Sequence, residues 1–200
     1  MVNSTKNIAV LILAAGTSSR MKDIKQLLKI NNKTLLENTI TTVENVFTEN
    51  IYCILGANAK KIQQATTTKT TTFLFNKHFK KGLSTSIVCG MQHLKKQLLP
   101  LDAVLVVLAD QPEVNEGYLQ ELTTTFKKNK HQIIASDYHK NSGVPAIFPK
   151  KYFEELLLLE GDKGAKKYLN SNIDNVLSPK KNTNLIDIDT LEELKLFINS

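Results

Sequence analysis

Short apolar runs alternate along most of this chain with longer segments whose apolar residues recur at helical spacing. Ile8–Leu13 reads as a buried strand, and Leu35–Phe47 as a helix carrying Leu35, Leu36, Ile40, Val43 and Phe47 as its apolar residues. Ile51–Leu55 reads as a second strand closed by Gly56, Ala57–Ala65 as a helix and Thr71–Phe75 as a third strand. Ser84 opens a helix over Leu83–Leu98, and Ala103–Leu108 is the most hydrophobic strand. A helix over Val114–Lys128 and a strand over Gln132–Ser136 continue the pattern. Further on come a strand at Val144–Phe148, helices at Lys151–Leu159 and Lys163–Leu169, and a strand at Val176 and Leu177. Leu185–Ile188 then leads into a last helix, Leu191–Ile198. Strands joined through helices pair in parallel, and the helices cover the faces of the sheet. The expectation is an α/β fold: a single domain over residues 1–200, doubly wound, with a mostly parallel sheet and helices on both faces.

At 200 residues such a fold buries about 70% of the surface its unfolded chain exposes, so it needs no disulfide or structural metal to fold. Cys53 and Cys89 accordingly lie in apolar contexts, without CxxC or Cys/His spacing, and read as buried thiols of a reducing compartment. The formal charge is +7, which favours anionic partners. The lysines are scattered in pairs such as Lys127-Lys128, Lys150-Lys151 and Lys180-Lys181, with no basic arm and few aromatics. Phosphorylated metabolites are therefore the expected partners, and nucleic acid is not. The polar stretch Asn3–Asn7 is not expected to act as a signal peptide, and the apolar run Ile8–Ala15 is too short to span a bilayer. A cytoplasmic protein without a membrane partner is expected.

Ligands of open α/β sheets sit at the carboxyl ends of strands. The first such end carries Leu13-Ala14-Ala15-Gly16-Thr17-Ser18-Ser19-Arg20-Met21. Small residues let the backbone approach an anion, Gly16 can supply a tight turn, and successive N–H groups can line phosphates. Arg20 can fork onto phosphate oxygens, and Lys25 adds a mobile point charge. The string is neither GxGxxG nor a P-loop ending in Gly-Lys-Ser/Thr, so the dinucleotide and ATPase readings lose ground. Asp110 follows the strand Ala103–Leu108 and should emerge at the same edge, as a Mg2+ ligand or as a cap of the helix Val114–Lys128.

These strings together resemble the MobA-like NTP transferases, and within them the molybdenum cofactor cytidylyltransferase subgroup. The resemblance rests on the glycine string with Lys25-Gln26-Leu27-Leu28, on Gly82-Leu83-Ser84-Thr85-Ser86-Ile87 and on Leu108-Ala109-Asp110-Gln111-Pro112. Gly143-Val144-Pro145-Ala146-Ile147-Phe148, Gly161-Asp162-Lys163-Gly164-Ala165 and Asp187-Ile188-Asp189-Thr190 follow in the family's order. It implies a Rossmann-like nucleotide-diphospho-sugar transferase fold and transfer of a nucleoside monophosphate to a phosphorylated acceptor, with loss of pyrophosphate. Leu13, Ala14, Ala15, Gly16, Arg20, Lys25, Gly82, Ser86 and Asp110 would bind the nucleotide, and Arg20, Lys25 and Asp110 would be catalytic. Ser86 would stand beside the base, although it can equally be a polar residue in the first turn of a helix.

Asp110, Asp187 and Asp189 would hold Mg2+ as cofactor. Only one of the pair Asp187 and Asp189 is expected to face the site unless the chain turns between them, and Asp187 is the better candidate. Asp189 can instead cap the final helix, with Glu192 completing a capping box. Ala14-Ala15-Gly16, in place of the Ala-Gly-Gly of the guanylyl-transferring branch, implies CTP. The family implies molybdopterin as acceptor and a molybdoenzyme as possible client, with Gly143–Phe148 and Gly161–Ala165 lining the acceptor side. An isoprenoid precursor or sugar phosphate as acceptor, or a non-catalytic accessory role, are the alternatives. Lys22, where the family keeps glycine, is the departure that favours the last. His78, His93, His131 and His139 are dispersed, and none is marked as a base.

Overall fold

The computed structural model describes residues 5, 7–17, 21, 23–30, 32–139, 141–179 and 185–199. Strand β1 (Ile8–Ala14) is buried along its whole length. A short antiparallel pair follows, β2 (Lys29–Ile30) with β3 (Lys33–Thr34). Then come α1 (Leu35–Val46), β4 (Ile51–Leu55), α2 (Ala59–Ala65), β5 (Thr72–Phe75), α3 (Ser84–Gln97) and β6 (Ala103–Leu108). The second half contains α4 (Glu116–Lys128), β7 (Ile133–Asp137), β8 (Ser142–Pro149), α5 (Phe153–Leu157), α6 (Lys166–Ser171), β9 (Val176–Leu177) and α7 (Leu191–Ile198). Among the described residues no helix is long and apolar enough to cross a membrane.

Seven strands form one sheet in the order β5-β4-β1-β6-β8-β7-β9. β5, β4, β1 and β6 run parallel, as does the pair β7 and β9, whereas β8 is antiparallel to both β6 and β7. The connection from Asp137 to Ser142 is too short for a crossover, so β7 and β8 have to pair as a hairpin. The sheet is mostly parallel with helices on both faces, as the alternation implies.

Residues along β1 divide between the two faces with period two. Ile8, Val10, Ile12 and Ala14 pack with Leu36, Ile40 and Val43 of α1, Ile62 of α2 and Leu119 and Leu122 of α4. Ala9, Leu11 and Leu13 pack with Ile87, Met91 and Leu94 of α3, Leu156 of α5 and Leu169 of α6. A third, smaller cluster joins Met21, Ile30 and Leu35 to Ile188 and Leu194, which docks the C-terminal segment beside the β2–β3 pair.

Several elements begin or end a residue or two from expectation, and three departures bear on the site. The helix expected over Lys151–Leu159 is a 3-10 turn, Lys150–Tyr152, followed by α5, which stops at Leu157. The one expected from Lys163 starts at Lys166, because Gly161 and Gly164 adopt φ of 80° and 53° in the preceding loop, conformations outside a right-handed helix. The last helix is capped by Thr190, whose hydroxyl accepts from Glu193 N while the Glu193 carboxylate accepts from Thr190 N, so Asp189 is not the cap. Moving the capping box one residue along frees the Asp189 carboxylate for the site.

Candidate active site

From β1 the chain leaves for β4 on one side and returns to β6 on the other. The connecting helices α1 and α3 pack on opposite faces, which leaves a crevice at the carboxyl ends of β1 and β6. The register pairs Leu13 with Leu108, and Ala109 N donates to Leu13 O at 3.2 Å. Asp110 is the next residue, just past the last pairing, so it emerges beside the loop after Ala14. A cavity of about 340 Å³ lies over this edge. It is lined by Leu13, Ala14, Ala15, Gly16, Thr17, Lys25, Gln26, Leu83, Leu108, Ala109, Asp110, Asp187 and Asp189.

Leu13, Ala14, Ala15, Gly16, Lys25, Asp110, Asp187 and Asp189, singled out in the sequence, are thus brought to one cavity. Both Asp187 and Asp189 reach it, contrary to the expectation that only one would. Residues 185–189 form no regular strand, yet residues two apart in an extended segment share a side. Ile188 between them is fully buried in the third cluster, and its N–H donates to Asp110 O at 3.0 Å. That peg sends its two neighbours towards the cavity. Asp110 caps no helix either: Asn115 caps α4, accepting from Tyr118 N.

Gly82 and Ser86 do not line the cavity. Ser86 is 1% exposed, and its hydroxyl accepts from Asn76 Nδ2 at 3.1 Å. Leu83 is the residue of that segment at the cavity wall. Gly82 has φ of 105°, and a Cβ there would lie 2.5 Å from Gly161 O. The Gly161–Ala165 loop docks on this segment through Ser84, whose N–H donates to Gly161 O and whose one hydroxyl hydrogen is shared between Glu160 O and Gly164 O. Arg20 and Lys22 lie outside the described residues. Cys53 and Cys89 are free thiols away from the cavity, and burial pushes both up in pKa, Cys53 the further.

Lys25 opens a 3-10 turn, Lys25–Leu27, and its ammonium donates to Asp110 Oδ2 at 2.6 Å and to Asp189 Oδ1 at 2.8 Å. Burial lowers the pKa of this lysine, but the Asp110 charge and the hydrogen bonds to Asp110 and Asp189 outweigh it and hold it above the usual value. Asp187 is pushed up by burial first and also by the charges of Asp110 and Asp189. The hydrogen bond from Gln111 and the Lys25 charge act against that rise. Gln111 Nε2 donates to Asp187 Oδ1 at 2.8 Å and to Tyr138 Oη at 2.7 Å, and Tyr138 Oη donates to Val144 O at 2.6 Å. This part-buried chain ties an acidic wall to the Gly143–Phe148 strand.

Asp110 Oδ1 is buried with no hydrogen-bond partner. An orphaned carboxylate oxygen beside two further carboxylates suits a cation. Among the described residues no three acidic, histidine or cysteine side chains close into a metal cage. The carboxylate oxygens of Asp110, Asp187 and Asp189 are hard donors of the kind a divalent cation takes, one or two at a time, with phosphate oxygens and water completing its shell.

Gln26, Gln111 and Leu83 stand in the motif strings with no individual role marked by them, and Tyr138 lies outside those strings. The two glutamines stand beside Lys25 and Asp110 in the motif strings, and a polar residue next to a buried strand end was the available signal. Tyr138 had none, because only the fold brings it to Gln111, 27 residues away in sequence.

Residues 10–176 match the family described as MobA-like NTP transferase domain. Among solved structures, Rv0371c of Mycobacterium tuberculosis H37Rv superposes with a TM-score of 0.84 at 25% identity, over 98% of this chain and 100% of that one. It has also been solved in complex with manganese. A nucleotidyl transferase from Methanothermobacter has a TM-score of 0.77 at 19% identity over 96% of each chain, which shows a shared fold. The bifunctional protein GlmU of Francisella tularensis subsp. novicida is 25% identical over 147 residues, 72% of this chain. The matched stretch spans only 31% of the length of GlmU, about a third of that relative. With the family match running from one side of the crevice through all its strands to β9, the chain belongs to the MobA-like NTP transferase domain family.

Proposed function

We propose that this protein is a cytoplasmic nucleotidyltransferase, residues 1–200 acting as one unit, that moves CMP from CTP to the terminal phosphate of molybdopterin and releases pyrophosphate. The observation that carries the reading is the Lys25 ammonium, held between Asp110 and Asp189 at the mouth of the glycine loop. A cation and an acidic wall beside a loop of small residues are what a triphosphate with its metal requires. CTP and molybdopterin follow from the Ala14-Ala15-Gly16 string and the subgroup's motifs. A molybdoenzyme client would receive the product.

The acceptor phosphate is already anionic at neutral pH, so no general base is needed. Its oxygen attacks the α-phosphorus in line, the bond to the bridging oxygen breaks, and pyrophosphate departs with the electron pair. The protein supplies alignment and charge. The backbone of Leu13–Gly16 and the Lys25 ammonium hold the phosphates, Arg20 meets the leaving pyrophosphate, and Asp110 with Asp187 or Asp189 would hold the divalent ion. That ion, when bound, neutralises charge on the α-phosphate as it develops.

The test is pyrophosphate release from labelled CTP with Mg2+ and molybdopterin, run beside GTP, ATP and UTP and beside sugar and isoprenoid phosphates as acceptors. Release that depends on both CTP and molybdopterin supports the reading. Release with a different acceptor would replace molybdopterin, and CTP binding without release against any acceptor would favour an accessory role.

A further inference from the structure

Gln26 is 6% exposed, and a buried amide is costly unless its hydrogen bonds are made. Its Nε2 donates to Ala14 O at 2.9 Å and to Gly16 O at 3.1 Å. The carbonyl between them, Ala15 O, accepts from Ala57 N at 3.4 Å. It also lies so close to Gly56 that a Cβ there would stand 2.6 Å from it. All three successive carbonyls of the loop are therefore held by the protein.

In a planar trans peptide the carbonyl and the following N–H point to opposite sides. Drawing the carbonyls of Ala14 and Gly16 onto one amide turns the N–H groups of Ala15 and Thr17 away from Gln26. The polarity of such a loop decides whether it attracts or repels an anion, since outward N–H groups bind phosphate and outward carbonyls oppose it. The small residues leave this undecided. Gly16 is exposed, a Cβ built on it meets nothing within 4 Å, and glycine flips its peptide at little cost.

We infer that Gln26 is a positioning residue that sets the polarity of the loop Ala14–Thr17 by pinning its carbonyls, so that its N–H groups are available to polyphosphate. This rests on the reading of the loop as a nucleoside triphosphate site. Gln26 acts through the backbone, and its effect should scale with the number of phosphates bound.

The test is calorimetric binding of cytidine, CMP, CDP and CTP with Mg2+ to the full chain and to Q26E and Q26L. Both variants keep the size of the side chain and lose the donors, and Q26E adds a charge that repels the two carbonyls. The CTP Kd is expected to rise at least tenfold in both, with a smaller rise for CDP and CMP and little change for cytidine. Q26N, with its amide one methylene short, should fall between, and it serves the same comparison if Q26E does not fold. A loss equal for cytidine and CTP would reduce Gln26 to a packing role and overturn the inference, as would an unchanged CTP Kd. A wild-type protein that binds none of the nucleotides would instead overturn the nucleotide reading itself, and the two failures are distinct.

Discussion

Lys25→Met keeps the length of the side chain and removes the cation from between two carboxylates. In the native site Nζ lies 2.6 Å from Asp110 and 2.8 Å from Asp189, with the lysine side chain 12% exposed and the carboxylates 28% and 33%. At an effective dielectric constant of about 20 each contact is worth roughly 6 kcal/mol of gross attraction. Desolvating the ions costs several kcal/mol apiece, which cancels most of that gain. What the variant retains is Asp110 and Asp189 facing Asp187 without the ammonium. Breaking a fully buried pair costs about 3–5 kcal/mol. Carboxylates that still touch water recover part of this, leaving about 2–3 kcal/mol. For a chain of this length each kcal/mol moves Tm by about 2–4 °C, so Tm should fall by roughly 4–12 °C in EDTA. Millimolar Mg2+ or Mn2+ should restore more of the Tm in the variant than it adds in the wild type, where the ammonium already neutralises the same carboxylates. Differential scanning calorimetry at matched ionic strength, with and without the metal, measures both effects. A variant Tm equal to that of the wild type in EDTA, or an identical metal response in the two proteins, would refute the electrostatic account.

Asp110→Asn preserves shape but removes a charge from the acidic wall, and kcat for pyrophosphate release should drop by about 10²–10³ with an unchanged circular dichroism spectrum; full turnover would exclude Asp110 from the catalytic machinery. Gly82→Ala puts a Cβ against Gly161 O at a φ of 105°, and urea denaturation should show a loss of about 1–3 kcal/mol, whereas a wild-type midpoint would contradict the packing described. Glu44 accepts from the backbone N–H groups of Lys69, Thr70 and Thr71 and from the Thr71 hydroxyl. Burial pushes its carboxyl up, but these donors outweigh it and hold the pKa below the ordinary 4.5. A lowered folded pKa means that the stabilisation is complete above the unfolded value and is lost as pH falls through the folded one. Glu44→Gln should therefore cost about 1–2 kcal/mol at neutral pH, a figure discounted for its partial exposure, and almost nothing in strong acid. A pH-independent difference in urea midpoint would disprove that linkage.

Strands β4 and β6 and helix α7 have the limits that periodicity alone predicts, because apolar spacing is a local property and each of these elements buries a definite face. The glycine loop and Asp110 were legible for a similar reason: both stand directly after an apolar strand, and strand ends of an α/β sheet converge on one edge. Legibility ended where a side chain's environment depends on distant residues. Lys25 reaches Asp110 across 85 positions and Asp189 across 164, and nothing in the spacing specifies that meeting. It comes from the order of β1 beside β6 and from Ile188, whose burial in a satellite core decides where its two acidic neighbours point. Ser86 shows the same limit, since the string around it suggests a base contact while Asn76, carried in by the neighbouring strand end, takes up its hydroxyl. By itself, then, the sequence determined the layered α/β plan and the edge at which the cavity opens, since both follow from patterns within a few residues. Only the tertiary structure decided which charges face one another across that edge, because side chains far apart in sequence are brought within hydrogen-bonding distance by strand register and core packing.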